Sequence, residues 1–154
     1  MASEEETLRR LVVELQVLEG TAEVLQSRIN LVTAALTDLR GAGITLEGLE
    51  KEEEDAPLFV PIGGGSYIKA KLESANTVVV GMGAGVSVER SIGEATENLE
   101  KRAAELEKTR DTLLQQLNQV IEKIRDGRSK LQDLTAKMSK RERAKPVRKA
   151  EGGA

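Results

Sequence analysis

Two glycine clusters and many carboxylates are the residues here with any claim to chemistry. Gly81-Met82-Gly83-Ala84-Gly85 resembles a dinucleotide-binding loop, but that fingerprint needs G-x-G-x-x-G opening a helix. In this chain the third glycine comes one residue early, and Val86 to Glu89 then alternates like a strand. No helix N-terminus would face a pyrophosphate. Gly63-Gly64-Gly65-Ser66 lacks the lysine-serine of a phosphate loop and reads as a turn. The glutamates stand three or four residues from lysine or arginine, as in Glu97–Lys101 and Glu105–Lys108. Such pairs belong on helix exteriors and contribute a few tenths of a kcal/mol, about 0.2–0.5, rather than forming paired acids in a pocket. With no histidine and no cysteine among 154 residues, thiol chemistry, disulfides and ordinary zinc sites are excluded. Neither an enzyme nor a cofactor is expected.

The glycine clusters make sense as hinges of sheet. Leu58 to Arg90 is a strand-rich island that repeats itself at an offset of twenty residues. Val60, Ile62, Gly63, Gly65 and Ile68 match Val80, Met82, Gly83, Gly85 and Val88. Each copy is an apolar run, a glycine turn and an alternating run, the pattern of two successive β-hairpins. Ile68, Ala70 and Leu72 share one face, and Tyr67, Lys69 and Lys71 the other. Pro61 cannot donate to a ladder, which predicts an edge strand or a bulge there, and Ser74-Ala75-Asn76 would link the hairpins. The apolar residues Leu58, Val60, Ile62, Ile68, Ala70, Leu72, Val78, Val80, Val86 and Val88 make only a small face, with no amphipathic segment left to cover it. This predicts that the hairpins complete their core with strands from other chains.

Both flanks are helical. Ser3 and Glu6 form a capping-box pair. From Leu8 apolar residues recur through Leu11, Leu15, Leu18, Ala22, Leu25, Ile29, Val32, Leu36 and Leu39 at alternating spacings of three and four, a coiled-coil seam. Gly41 and Gly43 are expected to end it. A second seam runs from Ile92 through Leu99, Ala103, Leu106, Leu113, Leu117, Val120, Ile124, Leu131 and Leu134 to Met138. The helices should fold back antiparallel, with Leu39 near Ile92 and Leu8 near Val120 to Ile124, leaving Leu131, Leu134 and Met138 beyond the first seam. Val13, Val17 and Val24 on the first helix, and Leu114 and Ile121 on the second, lie off the seam as surface residues or as partner contacts.

The expected organisation is therefore a coiled-coil helix over 1–43, an acidic connector over 44–57, two hairpins over 58–90, a second coiled-coil helix over 91–140 and a basic, disordered tail over 141–154. Ile44, Leu46 and Leu49 of the connector could dock against the sheet, and Glu50 to Asp55 reads as a solvated loop. Only one phenylalanine and one tyrosine are present, and a third of the residues are charged, 32%, which suits long solvated helices better than a large globular core. A net charge of −3 exerts no general pull on nucleic acid. The tail has no aromatics to stack bases, so it reads first as a solvated tail, second as a site for an acidic protein and third for RNA. No apolar run reaches membrane-spanning length, and MASEEETLRR does not read as a signal peptide. A soluble cytoplasmic protein is expected.

Helix, two hairpins, helix, with VPIGGGSYIKAKL and VVVGMGAGVSVERS at the centre, resembles the α class of prefoldin subunits over residues 4 to 140. The fold expected is mainly α: a long antiparallel two-helix coiled coil with two inserted β-hairpins forming part of an intersubunit β-barrel. The resemblance implies a hetero-hexamer of two α and four prefoldin β subunits that holds non-native proteins without ATP. It further implies their delivery to a group II chaperonin. By position it implies a client-binding set at the coiled-coil tips of Leu8, Leu11, Val12, Leu15, Ile124, Leu131, Leu134 and Met138. The competing expectation is a passive coiled-coil scaffold or tether whose tips bind nothing.

Overall fold

The computed structural model describes residues 3–144. Helix α1 spans Glu4–Glu50, strands β1 to β4 span Pro57–Gly63, Ser66–Lys71, Thr77–Gly83 and Val86–Ser91, and helix α2 spans Ile92–Ala144. The chain divides into two compact units, one made of Met1–Asn30 with Asp111–Ala154 and one of Leu31–Arg110. Among the described residues no helix is long and apolar enough to cross a membrane.

In the first unit the start of α1 and the end of α2 run antiparallel. Ser3 caps α1, its Oγ accepting the Glu6 amide at 3.2 Å, which satisfies a donor the helix itself cannot. Leu25, Ile29 and Leu117 form the buried core, with Ala22, Leu113 and Val120 packed around it. Exposed ion pairs join the helices at Glu19–Arg128 and Glu4–Arg141, both at 2.8 Å. The second pair corrects the expected tail boundary, because Arg141 lies within α2. The basic segment from Lys145 to Ala154 lies outside the described residues.

In the second unit α1 does not stop at Gly41 or Gly43 but continues to Glu50, so the expected connector over 44–57 is helical for its first half. Each interior glycine disfavours helix by about 1 kcal/mol relative to alanine. Leu46 offsets this by burial against Ile92 and Ala95. Leu39, Gly43 and Leu46 keep the four-three spacing, so the seam itself runs on. The partner of Ile92 is therefore Leu46 rather than Leu39, a displacement of one heptad. Leu49 packs on the same core, as do Val78 and Val80 of β3, whereas Ile44 points outward and is 70% exposed. Glu50 to Asp55 is exposed throughout.

The strands form two separate antiparallel pairs, β1 with β2 and β3 with β4. The twenty-residue repeat holds in the register: Val60 faces Ile68 as Val80 faces Val88. A register shift falls between Pro61 and Gly63, and again between Gly81 and Gly83. The second hairpin has no proline there, so the turn produces the bulge and Pro61 does not. Gly64 and Gly65 have φ of 57° and 74°, and Ala84 and Gly85 have 50° and 75°, the left-handed pairs that a two-residue type I′ turn demands. Ser91 Oγ accepts the Glu94 amide at 3.2 Å, so α2 begins on a cap directly at the end of β4. The Ser91-Ile92-Gly93-Glu94 pattern carries that signal in the sequence, although the seam alone did not reveal it.

Candidate functional site

Two apolar surfaces are candidates, one in each unit. In the second unit, Leu58 stands opposite Ala70 and Val60 opposite Ile68, so these side chains share one face of the first hairpin. Val60, Ile62 and Ile68 are exposed, and Leu58, Ala70 and Leu72 are half-buried. Leu72 extends the pairing by one step, its amide donating to the Ala56 carbonyl at 2.9 Å. The second hairpin differs. Val78 and Val80 are half-covered by the ends of both helices, Val88 is half-buried and Val86 is exposed. The expectation that nothing in the chain covers the hairpins thus needs correcting for the second one, which the helix ends partly cover. Among the described residues β1 and β2 pair only with each other, as do β3 and β4, so each strand keeps one edge of N–H and C=O groups without a strand partner among them. Open edges beside apolar faces are templates for strands of another chain.

In the first unit the candidate surface is the end that carries the termini of both helices. Leu8, Leu11, Leu131, Leu134 and Met138 are half-buried there, and Val12 is 39% exposed. Leu15 is 7% exposed and lies over Gly127, where an added Cβ would meet its Cδ2 at 2.8 Å. Ile124, half-buried, falls between Val120 of the core and Gly127. Leu15 is therefore packed within the seam, and Ile124 keeps the seam position its spacing gave it. The ion pair between Glu4 and Arg141 and the contact of Leu15 with Gly127 also displace the expected pairing. Leu8 lies nearer Leu134 and Met138 than Val120, so Leu131, Leu134 and Met138 do not overhang the first helix. Val13, Val17 and Val24 are exposed on the outer side of α1.

The glycine cluster at 81–85 closes the turn between β3 and β4, and strand, not helix, follows it. Among the described residues no group of histidine, cysteine, aspartate or glutamate is placed to hold a metal ion. What the molecule offers is apolar surface of two kinds, one with open backbone edges and one without.

Paired helices with two inserted hairpins define the class of protein. Residues 18–139 match the family described as prefoldin subunit. The chain is 35% identical over 140 residues to prefoldin subunit alpha of Pyrococcus horikoshii, covering 90% of this chain and 95% of that protein. It is 36% identical over 105 residues to prefoldin subunit alpha 1 of Thermococcus kodakarensis, covering 68% of this chain and 72% of the other. Among solved structures, filamentous PFD from Methanocaldococcus jannaschii superposes with a TM-score of 0.64 at 28% identity, over 73% of this chain and 93% of that one. The prefoldin beta subunit from Thermococcus strain KS-1, at 16% identity, shares the fold with a TM-score of 0.58 over 86% of this chain and 96% of its own. The chain belongs to the prefoldin subunit family, in its alpha class, and is a chaperone subunit.

Proposed function

We propose that this chain is the alpha-type component of an ATP-independent holdase, assembled as two alpha with four prefoldin beta subunits in the cytoplasm. In this reading it captures non-native proteins and passes them to a group II chaperonin. The observation that carries it is the first hairpin, with Val60, Ile62 and Ile68 exposed beside open strand edges. Each such side chain contributes about 1.5–3 kcal/mol when fully buried, and strands of neighbouring subunits closing a barrel would bury them. Leu58, Ala70, Leu72, Val78, Val80, Val86 and Val88 complete the barrel-facing set.

Client holding falls to the other surface. Leu8, Leu11, Val12, Leu131, Leu134 and Met138 offer a small apolar patch at the helix ends, while Leu15 and Ile124 keep the helices paired beneath it. One such patch binds weakly. Several patches around one client raise the overall affinity through effective concentration, without any new contact.

The test is replacement of Leu131, Leu134 and Met138 with serine in the assembled complex. Suppression of light scattering from a chemically unfolded client should fall several-fold, while native mass shows the assembly intact. Unchanged suppression would favour the passive scaffold. Lost assembly would mean that the two surfaces have been assigned the wrong way round.

A further inference from the structure

The two hairpins are copies of each other, yet their faces have diverged unequally. On the aliphatic face Val60 and Ile68 correspond to Val80 and Val88, apolar in both. On the opposite face the first hairpin places Phe59 and Tyr67, whose rings meet edge to face at 6.4 Å. These are the chain's only aromatic residues, and they are 69% and 61% exposed. Lys69 stands directly across from Phe59, and Lys71 from Pro57, both lysines exposed. The matching positions of the second hairpin hold Val79, Ser87 and Glu89: no ring, and the opposite charge. A solvated outer surface would have no reason to gather every aromatic of the chain beside two cations on one hairpin and spare its copy.

We propose that the Phe59–Tyr67 face of the first hairpin docks an extended, acidic peptide segment of another protein. Lys69 and Lys71 are two residues apart on one strand, so their side chains repeat at about 6.8 Å along it. An extended peptide with carboxylates at alternate positions has the same repeat and can meet both lysines at once. Its intervening apolar side chains fall within reach of the rings. A single-stranded nucleic acid fits less well. It needs successive stacking platforms, whereas two rings meeting edge to face at 73° present no parallel faces to stack on in turn. This surface is separate from both the aliphatic face and the helix ends, so its role does not depend on client holding.

Tyr67 is the only tyrosine and there is no tryptophan, so in the isolated chain tyrosine emission reports this face directly, and with beta subunits present a labelled peptide reports binding. The full chain, alone and assembled with prefoldin beta subunits, is titrated with a short peptide alternating glutamate and valine. Glutamine-for-glutamate and lysine-for-glutamate versions serve as comparisons. The acidic peptide alone should change Tyr67 emission, more weakly as salt rises. Lys69→Glu with Lys71→Glu should reduce affinity by about tenfold or more, with an unchanged melting curve, while Glu89→Lys leaves it as it was. Phe59→Leu, which keeps the strand apolar, should also weaken binding. Equal binding of all three peptides, preference for an oligonucleotide, or loss of Tyr67 accessibility on assembly would each overturn the proposal. Client holding would be untouched by any of these results, and its own failure would leave this titration unchanged.

Discussion

At Ala84 the backbone takes a φ of 50°, a left-handed conformation that disfavours a residue with a Cβ by roughly 1–2 kcal/mol. The matching residue of the first hairpin is Gly64, which has no such penalty. Asn-Gly is a preferred pair for this turn, so Ala84→Asn should stabilise the second hairpin, with slower amide exchange across β3 and β4. Gly64→Ala should destabilise the first hairpin by about 1 kcal/mol, and exchange there should speed up. At Gly127 the constraint is space. An alanine Cβ would meet the end of the Leu15 side chain at 2.8 Å, a flexible group that can shift, and the gain in helix propensity offsets the crowding. A leucine has no such room: Gly127→Leu should destabilise by about 1–3 kcal/mol. Leu15→Ala should then restore part of the loss, read as non-additivity in thermal unfolding of the four variants.

At the scale of elements, the last turns of α1 depend on what they touch. Gly41, Gly43 and Gly48 have no atom within contact reach of an added Cβ, so close packing does not explain them and they weaken the helix. Leu46, buried with Ile92 and Ala95, holds this segment. Leu46→Ala should cost about 2–5 kcal/mol locally and fray α1 back toward Arg40, seen as lost helical dichroism and fast exchange over residues 41–50. The exposed ion pairs Arg40–Glu107, Glu19–Arg128 and Glu4–Arg141 are each worth about 0–1 kcal/mol. Their removal should move the melting temperature little compared with Leu46→Ala.

For the molecule as a whole, the open hairpin faces set the expected behaviour. Val60→Asp with Ile68→Asp places two charges where a barrel core would close. Charges buried without partners are strongly disfavoured, so native mass should show loss of assembly with beta subunits, while dichroism of the isolated chain stays helical. Assembly that survives both aspartates would mean this face looks outward, and the barrel reading would fail.

Much of this architecture is written in local pattern. A period of two separates the hairpins from the seams at a period of three and four, and the repeated glycines mark turns that only residues tolerant of positive φ can make. Those signals depend on one stretch of chain at a time, so the sequence alone determined helix, two hairpins, helix, and the apolar surfaces they carry. Where α1 ends, which heptad meets Ile92, and which part of the second seam lies beside Leu8 were decided by tertiary structure. Each turns on a contact between residues far apart in the chain: Leu46 with Ile92, Leu15 with Gly127, Glu4 with Arg141. Local propensity placed a helix end at Gly41 and Gly43. Burial of Leu46 outweighed it, and the pairing of the two seams followed.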